Sequence, residues 1–473
     1  MSTFGSLSTA LSALYAQQRG LDVTGQNIAN ANTEGYSRQR VDLKSVGAPT
    51  VPAIWATYEG AGGGVTVSDV QRLRDMFLES RAHSEHGRLS YLQTMSTTLA
   101  NVEQTLGEPG ETGLAAQLGE FWGYWHDVAN NPGDLAARGQ LLQQAGTITT
   151  TFHNVSTALA AQWNSQREQL GTIADEVTAT AARVAELNAA IARATQAGTP
   201  ANELADQRDL LATRLAELVG STTKASTDGQ VDVYVGGTAL VRGATSNGLA
   251  VKGPGDFASR GTPPTPVTLE WTNGSYAAAV QLGKAGALLE SVNATIPGYL
   301  TDLDAVAAEL ATTVNAAHTA GWDLDGLPGA AFFSPTPATA ATIQVALSQP
   351  RSVAASGVDP ASTTPPGPNL DGSNAAALGE LPNATTSSAD STYRQLIVKL
   401  GVAAQTTNQR VDIQASTTTN LDSAREAQAG VSLDEEMVNM MSFQHAYAAA
   451  ARVMTTIDET LDVLINRTGV VGR

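Results

Sequence analysis

The sequence predicts an α+β fold made mainly of long α-helices, a terminal coiled coil plus a helical bundle, with inserted small β-rich domains. Three patterns predict it. Apolar residues step by three and four at both chain ends, a long heptad run fills part of the interior, and a central stretch alternates valine with polar residues. The length of 473 residues suits roughly three domains.

Composition narrows the function. The chain holds 27 Lys plus Arg against 45 Asp plus Glu, a formal charge of −18. That disfavours nucleic acid as a partner, because phosphate contacts need clustered cations. The absence of cysteine excludes disulfides, thiol chemistry and cysteine metal sites. No apolar run reaches the roughly 18 residues of a membrane span. No charged segment followed by an apolar run marks a cleaved secretory signal either.

At the N-terminus Phe4, Leu7, Leu11, Leu14, Leu21 and Ile28 share the three-four repeat, with Gln18 and Gly25 in its remaining positions. Ser2 or Thr3 can cap that helix, and Asn27 to Gly35 ends it in turn chemistry. Tyr36 to Leu43 reads as extended, and Gly60 to Gly64 as a flexible joint. Val65, Val67 and Val70 suggest a strand leading into a helix from about Leu73, which continues from Leu89 through Leu106, stops at Pro109 and Gly110, and resumes near Leu114. Between Thr149 and Ala197 the residues Trp163, Leu170, Ile173, Val177, Val184, Leu187 and Ile191 keep one heptad register. Gly198 and Pro200 end that run, and Leu204 to Leu218 marks an antiparallel return stopped by Gly220.

From Ser221 the pattern changes to strands. Val231, Val233 and Val235 alternate with polar residues, Val267, Leu269 and Trp271 repeat the alternation, and Asn273-Gly274 signals a hairpin. Helix returns from Leu288 to Ala317, where Pro297 marks a kink or the true start. Residues 325–390, rich in Pro, Ser, Thr, Ala and Gly, read as a loop-rich insertion with one strand at Ile343 to Leu347. Helix resumes at Tyr393 and runs through Leu421.

The terminal helix has the clearest signature. Met440, Phe443, Tyr447, Ala450, Met454, Ile457, Leu461 and Leu464 form a 3.5-residue seam, which Leu433 extends and Glu436 interrupts. Ser432 and Glu435 make a capping box, Asp434 adds negative charge at the helix start, and Gly469 follows Arg467 as a stop. A capped terminal helix with a long apolar seam needs a partner, and the N-terminal helix supplies one. The expected domains are therefore 1–45 with 430–473 as a discontinuous coiled-coil core, 46–220 with 283–327 and 391–429 as a helical bundle, 221–282 as a β-rich insertion, and 328–390 as a variable outer insertion.

Catalytic spacings are lacking. No nucleophile elbow, Walker A loop or His-Glu-x-x-His occurs. His83 and His86 with Glu79 and Glu85 read as solvated helix surface, and Asp323, Asp325 and Gly326 as a turn at a helix end. A structural protein without catalytic residues, cofactor or metal is expected.

The segment Asn27-Ile28-Ala29-Asn30-Ala31-Asn32-Thr33-Glu34-Gly35-Tyr36-Ser37-Arg38-Gln39 resembles the signature of bacterial flagellar rod, hook and hook-associated proteins. The run Val431 to Glu436 with Phe443-Gln444-His445-Ala446-Tyr447 is similar to that superfamily's C-terminal signature. Gly62 to Val67, Asp206 to Leu210, Val231 to Gly237, Asn315 to His318 and Gly321 to Gly326 resemble the hook–filament junction members of the hook-associated family. The resemblance implies terminal helices that line the inner tube of an extracellular flagellum, with inserted domains lying outward. It also implies type III export without a cleaved signal, a cytoplasmic export chaperone on the C-terminal helix, and a homo-oligomeric ring. Hook protein and the next hook-associated junction protein toward the filament would be its partners, with no membrane or nucleic acid. Another axial part, such as hook or distal rod protein, is the alternative, and an adhesive or hydrolytic role of the outer insertion a more distant one.

Overall fold

The computed structural model describes residues 3–47, 63–226, 228–274, 276–362, 369–383 and 388–467. Gly469 and residues 60–62 of the expected joint lie outside these. The N-terminal helix α1 spans Thr3–Ala29 and is followed by an antiparallel hairpin, β1 (Gln39–Ser45) with β2 (Val65–Arg72). The next helix begins three residues later than the apolar pattern suggests. Asp75 fixes the start of α2 (Met76–Leu106), its carboxylate accepting the Phe77 and Leu78 N–H groups at 2.7 and 3.3 Å. Gly107, at φ 65°, ends it in the left-handed conformation that glycine adopts without cost.

Helices α3 (Leu114–Asn130) and α4 (Leu135–Gln196) follow. The latter runs 62 residues, starting well before the heptad register becomes visible. Its first turns bury Leu141, Ala145, Ile148 and Phe152, and the Asp134 carboxylate caps it through the Ala136 N–H at 2.8 Å. The return helix α5 (Asn202–Val219) ends at Gly220. Strands β3 (Thr222–Ala225), β4 (Val231–Val235), β5 (Thr238–Arg242) and β6 (Thr245–Ser246) make one antiparallel sheet in sequence order. The pair β7 (Leu249–Lys252) and β8 (Thr268–Trp271) lies beside it. Buried Asn188 of α4 holds the sheet, donating to the Val231 and Gly243 carbonyls at 2.8 and 2.9 Å and accepting the Val231 N–H at 3.1 Å.

Helix α6 (Gly283–Glu290) passes through a wide turn at Ser291–Thr295 into α7 (Ile296–Thr319). Pro297 sits just after the wide turn and supplies no N–H, and the Val292 carbonyl in that turn accepts the buried Trp163 Nε1–H at 2.6 Å. Two-residue strands β9 (Phe333–Ser334) and β10 (Gln344–Val345), the short α8 (Ser373–Gly379), α9 (Ala389–Ala429) and α10 (Leu433–Asp462) complete the chain.

The described part of 328–390 corrects the expectation of an outer insertion. Phe332, Phe333, Ile343, Val353 and Leu378 are fully buried within the helical core. Phe332 lies 5.4 Å from the Trp125 ring and 6.0 Å from Phe121 of α3. Asn315 of α7 accepts both the Phe332 and Phe333 N–H groups and donates to the Phe333 carbonyl. Composition misleads here because a few large apolar residues, each worth roughly 1.5–3 kcal/mol when buried, anchor a chain that otherwise reads as loop. Arg138, also fully buried, donates to the Pro132 and Val353 carbonyls and so ties this segment to α4.

Two histidines give the core a pH dependence. His318 Nε2 accepts the Ala354 N–H at 2.8 Å, so Nδ1 carries the proton donated to the Ala330 carbonyl at 2.6 Å. Burial, opposed by that carbonyl and by Asp323, pushes His318 down to about 4. His83 is also buried rather than solvated, beside Thr223 Oγ1 at 3.2 Å, and burial pushes it down to about 4. Burial of both favours the neutral imidazole. Their stability contribution is complete above the unfolded value of about 6.5 and is lost as pH falls toward 4, by roughly 3 kcal/mol per histidine. Urea unfolding between pH 7.5 and 4.5 is expected to show this fall, with a shallower slope in His318→Asn. Equal slopes in both chains would refute the assignment.

Candidate assembly interface

The two ends of the chain meet. Gly20 of α1 lies under the Phe443 ring of α10, where a Cβ would stand 2.6 Å from the nearest ring carbon. Asn27 Nδ2 donates to Glu436 Oε2 at 3.0 Å. As the α1 numbers rise the α10 numbers fall, so the helices are antiparallel. On α10, Met440, Phe443, Met454, Ile457 and Leu461 are half-buried, while Tyr447 and Leu464 are exposed.

On α1 the arrangement differs from a leucine seam. Ala10, Ala16, Gly20, Val23, Thr24 and Asn27 are the buried residues, whereas Leu7, Leu14, Leu21 and Ile28 are half-buried and Leu11 is exposed. A helix turns about 100° per residue, which sets Leu11 and Leu14 nearly opposite Ala16, Val23 and Asn27. Phe4 lies on α1, with its side chain outside the described set. Small residues bring the helices close, and the leucines are left flanking the contact.

The segment after α1 is a polar lock. Asn27 donates to the Gln39 carbonyl at 2.9 Å, and its Oδ1 accepts both the Gln39 N–H at 3.0 Å and the Tyr36 hydroxyl at 2.8 Å. Burial, with Asp206, Glu203 and Glu436 nearby, pushes the Tyr36 hydroxyl up to about 12, which keeps it a donor. Arg38 reaches Glu436 at 2.7 Å and Glu435 at 2.6 Å. Glu436 therefore does not merely break the register. It is 2 % exposed and pairs both ends of the chain. Thr33 donates to Asn30 Oδ1 at 3.2 Å, Asn30 donates to the Gln26 carbonyl at 3.0 Å, and Gly35 turns at φ 77° against Leu210. Asn32 is exposed.

The lock continues into the bundle. The Ser37 N–H donates to Asp206 Oδ2 at 3.2 Å, and Arg72 of β2 donates to Asp206 and Asp209 of α5 at 2.9 and 2.8 Å. Arg74 and Arg208 also bind Asp209. Burial alone would raise the Asp209 carboxyl, but Arg208, Arg74 and Arg72 outweigh it and hold that group below the usual carboxylate range. Glu79 bridges Arg74 and Arg425, each at 2.7 Å. His86, read from sequence as solvated, is half-buried with Asp422 at 3.1 Å. Sequence spacing cannot reveal this cluster, because its members come from four distant segments. The visible hint was Asp206-Gln207-Arg208-Asp209.

Outside these contacts α10 exposes Met437, Val438, Met441 and Val453, and α1 exposes Leu11 and Tyr15. Apolar surface of this kind calls for a covering partner. Among the described residues no His, Cys, Asp or Glu group is placed to hold a metal, and no helix is long and apolar enough to cross a membrane.

Paired terminal helices are thus locked to a helical bundle by the segment after α1, an arrangement suited to a structural part. Residues 7–36 match a family model described as flagella basal body rod protein, and 425–467 match the C-terminal model of the flagellar basal body rod FlgEFG proteins. Residues 99–333 match the helical domain of flagellar hook-associated protein FlgK. The chain is 31% identical to flagellar hook-associated protein 1 of Bacillus subtilis over 515 aligned positions, covering 100% of both. It is 28% identical to the protein of that name from Salmonella typhimurium, over 69% of this chain and 59% of that one. The chain belongs to the flagellar hook-associated protein 1 family. Its fold is similar to the flagellar hook junction protein FlgK from Burkholderia pseudomallei, with a TM-score of 0.62 and 18% identity over 73% of this chain and 99% of that one.

Proposed function

We propose that this protein is the junction adaptor that joins hook to filament, assembled through its terminal helices after type III export. The carrying observation is the α1–α10 pair, which leaves exposed apolar rows on both helices. A second copy, the hook protein and the next hook-associated protein toward the filament would cover those rows. Burial of apolar area would contribute about 25 cal/mol per Å², and ordering the terminal segments opposes it. Growth on an existing hook end therefore follows. A head-to-tail contact that closes into a ring limits the structure to one layer. In this reading the helical bundle and the β-rich insertion at 221–282 lie outward, a cytoplasmic chaperone covers α10 before export, and the chain performs no catalysis.

The residues assigned to assembly are Leu7, Leu11, Leu14, Leu21 and Ile28, which flank the α1–α10 contact and would meet neighbouring subunits, with Met440, Phe443, Tyr447, Met454, Ile457, Leu461 and Leu464, Phe4 extending the row. Leu461→Asp is expected to leave the bundle folded by circular dichroism while abolishing filament formation and swimming. Motile cells with intact filaments would overturn the assignment. Electron microscopy of a deletion strain separates this role from that of another axial part. Hooks without filaments support a junction adaptor, and missing hooks support a hook or rod protein. The helical domain at 99–333 favours the first.

A further inference from the structure

Imidazole, thiolate and carboxylate spacings mark the common metal sites, and thioethers fall outside that pattern. Four of the seven methionines, Met437, Met440, Met441 and Met454, fall on α10. Met437, Met441 and His445 stand at i, i+4 and i+8, one above another along one side of the helix, with about 6 Å between successive Cβ atoms. Met437 is 58% exposed, Met441 51%, and His445 is exposed as well. At about 100° per residue, Met441 and His445 lie well round the helix from Glu436, Met440 and Phe443, and Met437 borders that face. Residues 433–451 carry no Lys or Arg, and although Arg38 pairs with Glu435 and Glu436, no cation of α10 itself stands within the row.

We propose that Met437, Met441 and His445 bind a soft monovalent cation, Cu(I) or Ag(I), with Met441 at the centre. Thioether sulfur and imidazole nitrogen suit these ions, whereas Mg²⁺ and Ca²⁺ require oxygen ligands. Closed-shell monovalent ions accept two donors on opposite sides. Side chains one helical turn apart supply that arrangement, and the row offers two overlapping pairs that share Met441. The chain has no cysteine to compete for the ion.

Calorimetric titration of the full chain with silver nitrate in chloride-free buffer tests this, with anaerobic Cu(I) competition against bathocuproine disulfonate as a second probe. One equivalent is expected to bind. Met441→Leu, close in volume and on an exposed face, is expected to weaken binding by at least about tenfold. Met437→Leu or His445→Ala, each leaving one donor pair, is expected to weaken it less. Circular dichroism checks that each variant keeps its helix content. No binding, or equal affinity in the wild type and Met441→Leu, would overturn the proposal.

Discussion

Asp209→Ala is expected to lower the unfolding free energy of the chain by about 3–5 kcal/mol, the range for removing one partner from a buried ion network. Asp209 is the anion around which Arg72, Arg74 and Arg208 gather. Without it three guanidinium groups remain in a part-buried space with only Asp206 and Glu79 to balance them. The cluster links β2, the start of α2 and α5, so the loss falls where the terminal pair joins the bundle. Urea unfolding of the full chain measures it, and limited proteolysis around residues 45–75 reports whether the joint opens first. Asp209→Asn keeps the shape and loses the charge, and is expected to cost nearly as much. A cost under about 1 kcal/mol for the asparagine variant would show that packing, not charge, holds the joint.

The helices whose cores are made of large apolar residues were legible. In α4 the heptad Trp163, Leu170, Ile173, Val177 and Val184 faces inward as its period implies. In α10 the same period leaves Met440, Phe443, Met454, Ile457 and Leu461 half-buried, with Phe443 seated on Gly20 of α1. In α1 the period singles out leucines, yet the buried face is alanine, glycine, threonine, asparagine and one valine, Val23. Close approach selects for small residues there, and a count of hydrophobic side chains cannot register a glycine that matters because a ring sits on it. Phe332 and Phe333 escaped for a related reason: two aromatic residues in a Pro- and Ala-rich stretch have no period, although they fill the space beside Trp125. The charged joint was illegible because Arg38, Arg72, Asp209 and Glu436 come together only once the chain has folded. Glu436 still carried a signal. A carboxylate at a seam position implies a buried partner, and Asn27 and Arg38 both serve.

Gly20→Leu is expected to abolish incorporation into the axial structure while leaving the bundle intact, because its side chain would occupy the space of the Phe443 ring. The smaller change Gly20→Ala gives a sharper test, since two effects of known sign oppose each other. Alanine in a helix interior is favoured over glycine by roughly 0.8–1 kcal/mol. The new Cβ, however, would lie 2.6, 2.7 and 2.9 Å from three carbons of Phe443. In the wild-type background the contact must cancel or reverse the propensity gain, either by turning the ring out of its place or by separating α1 from α10. In a Phe443→Ala background the ring is absent, and the same substitution should stabilise the α1–α10 pair by close to the full propensity difference. The effect of Gly20→Ala thus differs between the two backgrounds, a coupling that a double-mutant cycle isolates. Hydrogen exchange of the α1 and α10 amides in the four chains measures the local opening free energy on which this depends. Equal effects of Gly20→Ala in both backgrounds would mean that the ring does not rest on Gly20 in solution, and that the two ends pair in another register.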